Sequence, residues 1–126
     1  MDKKLKQLRA LTKMALDVEM MKLQKISVAE QEKTDQIDEL HMSEAMRAVS
    51  LIEGGGADLA LYGGADKRWA IWKQKRVSDL NTQKAALIAA REEQKLHTQK
   101  AFGKDEALRR IIDNSLEATR LKQSRK

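Results

Sequence analysis

The sequence predicts an all-α fold in which two long helices pair as an antiparallel coiled-coil hairpin. Proline is absent, and five of the six glycines lie between Gly54 and Gly64. Because proline and glycine are the residues that most strongly interrupt a helix, the chain can form one long helix on each side of this glycine-rich segment. Charged residues of both signs make up 35% of the chain, which is typical of a helix pair with most of its surface in water. The helical spacing of the apolar residues argues against disorder, the competing interpretation.

The whole chain is predicted to be one hairpin domain, residues 1–126. Its predicted parts are arm one at about 3–52, a glycine-rich loop at 53–65 and arm two at about 66–122. Two unbroken arms of roughly 50 residues, at 1.5 Å per residue, would give a rod about 75 Å long. Gly103 marks a candidate kink in arm two, because glycine inside a helix costs about 1 kcal/mol relative to alanine.

Arm one carries two apolar stripes that are one position out of phase. Both step along the chain by three and four residues, as one face of a helix requires. The first stripe contains Leu8, Leu11, Ala15 and Val18, and the second contains Leu16, Leu23, Ile26, Ile37, Leu40 and Leu51. Polar residues occupy further positions of the second stripe, namely Glu30, Lys33 and Glu44. We therefore expect a loosely wound seam that drifts from one stripe to the other, rather than a strict leucine heptad.

Arm two is predicted to begin after Gly64, with Asp66 as the N-cap. Its apolar residues share one heptad phase: Trp69, Leu80, Leu87, Ala90, Ala101, Leu108, Ile111 and Ala118. Polar residues interrupt the same phase: Lys73, Arg76, Gln83, Gln94, His97, Lys104 and Ser115.

Opposite charges favour pairing between the two arms. Residues 17–44 carry eight acidic and three basic residues, whereas residues 67–103 carry nine basic and three acidic residues. A turn near the middle of the glycine-rich loop would bring these stretches together. Each exposed pair contributes only about 0.2–1 kcal/mol, so we expect the charges to select the register and the partner.

The same turn would bring the two termini together and form a basic end. This predicted site contains Lys3, Lys4, Lys6, Arg9, Arg109, Arg110 and Arg120. The formal net charge of the chain is +6, and most of it would lie at this end. An acidic partner is the expected ligand.

Three of the four aromatic residues lie within eleven positions at the loop end of the hairpin. Together with two neighbours they form the predicted tip site: Leu61, Tyr62, Arg68, Trp69 and Trp72. Trp69 and Trp72 are three residues apart and so share roughly one helix face. Packing of the hairpin tip and contact with a partner are both open interpretations of these aromatics.

The sequence offers no pattern for catalysis, a cofactor or a metal. There is no cysteine, which excludes a thiolate nucleophile and a disulfide framework. His41 and His97 fall on different arms, away from each other in the hairpin register, and the glycines lack the Lys-Ser/Thr ending of a phosphate-binding loop. The longest apolar run, Ala85–Ala90, has six residues, where a membrane span needs about 20. We expect a cytoplasmic protein that is not an enzyme.

Asp66-Lys67-Arg68-Trp69, an Arg-Trp pair that enters the second helix after a non-helical loop, is followed by the Gln/Lys-rich tract Lys73-Gln74-Lys75-Arg76 and by Leu80. With its length, basic N-terminal segment, two long arms and basic tail, the chain resembles the FliJ family, helical stalk proteins of flagellar and related type III export machines. The match is specific around Trp69 and covers the rest at the level of architecture. The chain differs from the family in its longer glycine-rich connection.

The resemblance implies a non-catalytic stalk or adaptor that is a monomer in isolation. It implies that the terminal end lies in the pore of a hexameric export ATPase and that the loop end reaches the export gate, with export chaperones as further partners. Only Arg68 and Trp69 are assigned by the motif itself. Two other functions remain open, a coiled-coil scaffold that pairs with itself and a helical hairpin that binds RNA through its basic residues.

Overall fold

The computed structural model describes residues 2–54 and 59–125, with side chains for residues 3–54 and 64–125. Helix α1 spans Asp2–Glu53 and helix α2 spans Leu59–Ser124. The two helices pack against each other, and the described ranges contain no strand. The predicted all-α helical hairpin is therefore confirmed.

Helix α1 ends where the glycine-rich segment begins. The N–H of Gly54 donates to the Ser50 carbonyl oxygen at 3.0 Å, so the last helical turn closes on a residue without a side chain. A Cβ atom at Gly54 would lie 3.2 Å from the same oxygen, which is a tight approach. Glycine thus suits the end of α1 for a steric reason.

Helix α2 begins at Leu59, ahead of the predicted start at Asp66. The predicted loop 53–65 is wrong over its second half, because Gly63 and Gly64 are helical. Each glycine weakens a helix by about 1 kcal/mol relative to alanine, but the good helix formers on both sides allow the helix to continue through them. Asp66 consequently lies within the helix instead of capping it. Residues 55–58, which include part of the predicted loop, lie outside the described ranges.

Helix α2 also continues through Gly103, the candidate kink. A Cβ atom at this position would meet no heavy atom within 4 Å. The position therefore imposes no steric need for glycine.

We expect Gly103→Ala to stabilise the protein by about 1 kcal/mol, because alanine loses less backbone entropy on forming a helix. Urea unfolding followed by circular dichroism measures the change. Gly54→Ala is the matched control and should gain less or destabilise, since its Cβ would crowd the Ser50 carbonyl oxygen. A loss of stability in Gly103→Ala would show that this glycine has a structural role.

The hairpin divides into two compact units, and each helix contributes to both. The terminal unit contains Met1–Ile26 and Ala90–Lys126, and the loop unit contains Ser27–Ala89. The terminal unit carries 17 Lys and Arg against 9 Asp and Glu, a net charge of +8. The loop unit carries 8 against 10, a net charge of −2. The basic excess of the chain therefore belongs to the unit that holds both chain ends.

The terminal unit has a seam that contains both polar and apolar residues. Its partly or wholly buried residues on α1 are Leu5, Arg9, Thr12, Leu16, Glu19, Leu23 and Ile26. Those facing them from α2 include Gln94, Thr98, Ala101, Asp105, Leu108, Ile112 and Ser115. Both sets follow the alternating spacing of three and four residues that a coiled-coil seam requires.

The seam of the loop unit contains both apolar and charged side chains that are buried. Leu80 is wholly buried, at 0% exposure, and is the one apolar side chain in the described ranges that reaches this state. Half-buried Ile37, Leu40 and Val77 belong to the same unit. Lys73 is also buried, at 7% exposure, and its ammonium group donates to the carboxylate of Glu44. A two-helix seam is thin, which explains why so few side chains are fully removed from water.

The first predicted stripe of arm one is wrong as a seam. Leu8, Leu11 and Val18 are exposed, and the second stripe, through Leu16 and Leu23, forms the seam of the terminal unit from its first turn. Polar seam residues caused the misassignment, because counting apolar residues alone gives them no weight.

The seam of arm two uses two positions in each heptad, and one of these two positions was predicted one residue too early. Leu80, Leu87, Ala101 and Leu108 lie on the seam as predicted, but the alternate positions fall one residue later. Thr98 and Asp105 are half-buried where His97 and Lys104 were expected, and Ile111 is exposed. The displaced register lets Thr98 and Asp105 hydrogen-bond with α1, which offsets the cost of burying polar groups.

Candidate partner-binding surfaces

A polar cluster joins the two helices near the chain ends in the terminal unit. The Thr12 hydroxyl donates to Asp105 Oδ1 at 2.9 Å. Arg9 Nε lies 3.8 Å from the same carboxylate oxygen. Asp105 therefore receives two groups from α1, and the contact brings the N-terminal and C-terminal segments into one unit.

The basic end is only partly available to a partner. Lys3, Lys4 and Lys6 are exposed and have no ion pair within the described ranges. Arg9, by contrast, is half-buried against Asp105. Among the described residues, the three lysines are thus the positive charges of this site on α1 that have no ion pair.

The arginines of the basic end on α2 already pair with carboxylates of their own helix. Arg109 donates to both oxygens of Glu106, at 2.6 and 3.1 Å. This fork raises the pKa of Arg109 and lowers the pKa of Glu106 below its ordinary value, chiefly through the hydrogen bonds between them. Arg110 Nε lies 3.6 Å from Glu106, and Arg120 lies 2.9 Å from Glu117. These exposed pairs are weak, so a strongly acidic partner can displace them.

Gln94 and Glu19 form the second polar link in the terminal unit. The buried Gln94 amide donates to the Glu19 backbone carbonyl at 3.1 Å and to its carboxylate at 2.5 Å. This side-chain hydrogen bond, opposed by burial and assisted by the charge of Lys22, lowers the pKa of Glu19 below its ordinary 4.5. Beside this link lies an open groove of about 240 Å³ whose lining includes Glu19, His97 and Lys100.

The lowered pKa of Glu19 predicts an acid-sensitive contribution to stability. A carboxyl group whose pKa falls on folding stabilises the fold fully above its unfolded value, here 4.5, and loses that contribution as the pH falls through the folded value. We expect Gln94→Leu to lower the free energy of unfolding more at pH 7 than well below pH 4.5. Urea titrations at both pH values measure the difference. Gln99→Leu, at an exposed position of the same unit, should show no such pH dependence, and an equal cost of Gln94→Leu at both pH values would contradict the assignment.

The two tryptophans of the tip site, both in the loop unit, differ in their exposure to solvent. Trp69 is half-buried and lies beneath the Arg47 guanidinium, whose central carbon is 4.8 Å from the ring centroid. Arg47 also donates to Asp66 at 2.6 Å. Trp72 is 53% exposed, and its ring centroid is 6.5 Å from that of Trp69. Trp69 therefore packs within the unit, whereas Trp72 presents an aromatic surface to solvent.

Of the remaining members of the tip site, only Arg68 has a described side chain. Arg68 is exposed, and its Nε donates to the Gly64 carbonyl oxygen at 3.3 Å. The side chains of Leu61 and Tyr62 lie outside those described. The structure thus places Arg68 and Trp72 on the surface of the loop unit, with Trp69 beneath Arg47.

Sequence reasoning did not identify two apolar stripes on α1 as exposed surfaces, because it missed the first and assigned most of the second to the seam. In the loop unit the stripe contains Met42, Met46, Val49 and Ile52. In the terminal unit it contains Leu8, Leu11, Met14, Ala15, Val18 and Met21. The signal was present in the sequence, because a helix with two separate apolar stripes can turn only one of them toward a single partner helix.

The comparisons with known proteins leave the family open. No model of a protein family matches the chain, and no curated protein or solved structure matches it. Neither helix, over its described residues, is apolar and long enough to cross a membrane. Among the same residues there is no cluster of His, Asp and Glu that could hold a metal ion.

Proposed function

We propose that this chain is a non-catalytic adaptor of a flagellar type III protein export apparatus. In this function it links a hexameric export ATPase to the export gate in the membrane and contacts export chaperones. The observation that carries the proposal is the net charge of +8 in the unit that contains both chain ends. The Arg68-Trp69 pair and the two-helix fold, which resemble the FliJ family, support it.

The terminal unit docks to the ATPase ring by electrostatic attraction. A ring lining rich in Asp and Glu attracts the exposed Lys3, Lys4 and Lys6 over a distance that salt screens to about 8–10 Å. Arg109 and Arg110 then exchange their pairing with Glu106 for carboxylates of the ring. The charged contact selects the partner and speeds association.

The loop unit contacts the gate through its exposed tip residues. Trp72 is the anchor, because tryptophan contributes large contact energies at protein interfaces. Arg68 lies one helical turn before it and adds a charged contact on the same face. Trp69 and Arg47 position this part of α2 against α1, and their role is structural.

Capture of the hexameric export ATPase tests the docking step. We expect Lys3→Glu/Lys4→Glu to abolish most of the capture at physiological salt, and Arg109→Glu/Arg110→Glu to weaken it less, since those arginines already have carboxylate partners. Lys67→Glu/Lys75→Glu is the matched control, with the same charge change at exposed positions of the loop unit. Equal recovery of the ATPase by all three variants would count against docking through the basic end.

The terminal unit's charge also suits an RNA ligand. Binding of random RNA would fall steeply with salt, because each phosphate contact releases a counterion. Retention of RNA at physiological salt, lost in Lys3→Glu/Lys4→Glu, would favour this second function. A self-pairing scaffold instead predicts a mass that rises with concentration in light scattering, whereas the adaptor is a monomer in isolation.

A further inference from the structure

The exposed apolar residues of α1 in the terminal unit form one continuous face, here called the outer stripe. It contains Leu8, Leu11, Met14, Ala15, Val18 and Met21. At 100° per residue these six positions fill a sector of about 140° that contains no polar residue between the first and the last. The stripe covers nearly four helical turns, about 20 Å of helix length.

The outer stripe is distinct from the seam of the hairpin. Seam residues such as Leu16 and Leu23 lie about 130–150° around the helix from the centre of the stripe, and they are half-buried against α2. Leu11 and Met14, at the middle of the stripe, are each 62% exposed. Large contiguous apolar patches on a monomer are often functional, and five of the six side chains of the stripe are large, apolar and about half or more exposed.

Lysines bracket the stripe at both ends. Lys4 precedes Leu8 by one helical turn, and Lys22 and Lys25 follow Val18 and Met21 by one turn each, so all three lie in the sector of the stripe. Lys4 and Lys25 are exposed without an ion pair in the described ranges. Lys22 is 3.6 Å from Glu19 but remains exposed. From Lys4 to Lys25 the helix rises about 32 Å.

The positions of these charges favour one kind of binding partner for the outer stripe over others. A second copy of the chain would place these lysines against lysines in either the parallel or the antiparallel orientation, which is repulsive. An anionic membrane would meet the exposed carboxylate of Asp17, which flanks the stripe at its middle. A partner helix with an apolar stripe of about four turns and acidic residues at both ends can bury the outer stripe and pair with the lysines at the same time.

We propose that the outer stripe is a docking site for an amphipathic partner helix of this kind. The partner lays its apolar face along Leu11, Met14 and Val18, as in helix-in-groove and coiled-coil recognition. Its terminal Asp or Glu residues pair with Lys4 at one end and with Lys22 and Lys25 at the other. The complex adds a third helix to the terminal unit. This inference is independent of the identity of the export partners.

Binding of a synthetic helical peptide tests the proposal. The probe is a fluorescent peptide with leucines spaced by three and four over four turns and glutamates at both ends. A second peptide has lysines in place of the glutamates. We expect the glutamate peptide to bind at least tenfold more tightly than the lysine peptide in fluorescence anisotropy, with a difference that shrinks as salt rises.

The matched variants are Leu11→Gln/Val18→Gln on the outer stripe and Leu96→Gln/Leu116→Gln on exposed positions of α2 in the same unit. The first should weaken binding of the glutamate peptide at least tenfold, and the second less than twofold. All four residues are about half or more exposed, and circular dichroism verifies that both variants remain helical.

Three results would overturn the proposal. The first is equal binding of the two peptides, and the second is equal loss in the two variants. The third is binding of the outer stripe to a second copy of the chain or to a membrane instead of a partner helix. Sedimentation of a dimer that Leu11→Gln/Val18→Gln dissociates would identify a second copy. Binding to vesicles containing anionic phosphatidylserine that the same change abolishes would identify a membrane.

Discussion

Leu80→Ala is expected to destabilise the protein by about 2–3 kcal/mol, the largest effect of a single apolar substitution among the side chains that the structure describes. Leu80 is wholly buried in the loop unit, and its truncation removes both apolar burial and packing contacts. The cost lies in the lower half of the range for buried leucines because a two-helix seam can collapse or admit water more easily than a thick core.

Urea unfolding followed by circular dichroism measures this cost. Leu96→Ala is the control, since it makes the same chemical change at a side chain that is 60% exposed. Surface substitutions of this kind usually alter the free energy of unfolding by less than about 0.5 kcal/mol. Similar changes in the two variants would mean that Leu80 does not lie in the seam.

The second large effect concerns the buried ammonium group of Lys73. We expect Glu44→Gln to lower the free energy of unfolding by about 1–2 kcal/mol, because it leaves that ammonium with a weaker acceptor. The expected loss of stability is smaller than for a fully buried ion pair, since the Glu44 side chain is 52% exposed and water replaces part of the lost interaction.

Lys73→Met gives the contrasting result. A methionine of similar shape removes the cost of burying the charge, so we expect this change to be neutral or stabilising. In Lys73→Met/Glu44→Gln the cost of Glu44→Gln should largely disappear, and a double-mutant cycle in urea measures the coupling. Lys75→Met, at an exposed neighbouring position, is the control. Additive effects of the two substitutions would contradict the pairing.

The charge pattern of the arms was a partial guide to the pairing. The Lys73–Glu44 contact in the loop unit follows the predicted attraction between an acidic first arm and a basic second arm. Arg47 and Asp66, in the same unit, pair in the opposite sense. The contact between Arg9 and Asp105 in the terminal unit is also of this opposite sense. Net charge over long stretches thus indicated the partner helix but not the individual pairs.

The extents of the helices could be predicted from the sequence more fully than which residues of each helix face the seam. The end of α1 at Glu53 agrees with the first glycine cluster, since Gly54 can close the last turn without a steric clash. The prediction of a loop at the second glycine cluster was wrong because Gly63 and Gly64 lower helix propensity without preventing a helix. The seam was harder to predict because Thr12 and Glu19 are half-buried through polar contacts, which no count of apolar residues can detect.

The exposure of the candidate site residues could be predicted only in part. Trp69 and Trp72 are three residues apart, and Trp69 occupies a predicted seam position of arm two, whereas only the structure shows the Arg47 guanidinium over its ring. At the basic end, pairing of Arg109 with Glu106 follows a spacing of three residues that the sequence contains, whereas the half-burial of Arg9 depends on Asp105 across the seam. Contacts between helices were therefore the missing information.

The central claim is that the two chain ends belong to one basic unit, and crosslinking of Thr12→Cys/Asp105→Cys tests it most directly. The native chain has no cysteine, so a short bismaleimide reagent can join only the introduced pair. We predict rapid crosslinking within one molecule, at the contact where the Thr12 hydroxyl donates to Asp105, and much slower crosslinking in Thr12→Cys/Leu96→Cys. Absence of the crosslink in Thr12→Cys/Asp105→Cys, or its formation only between molecules, would contradict the account.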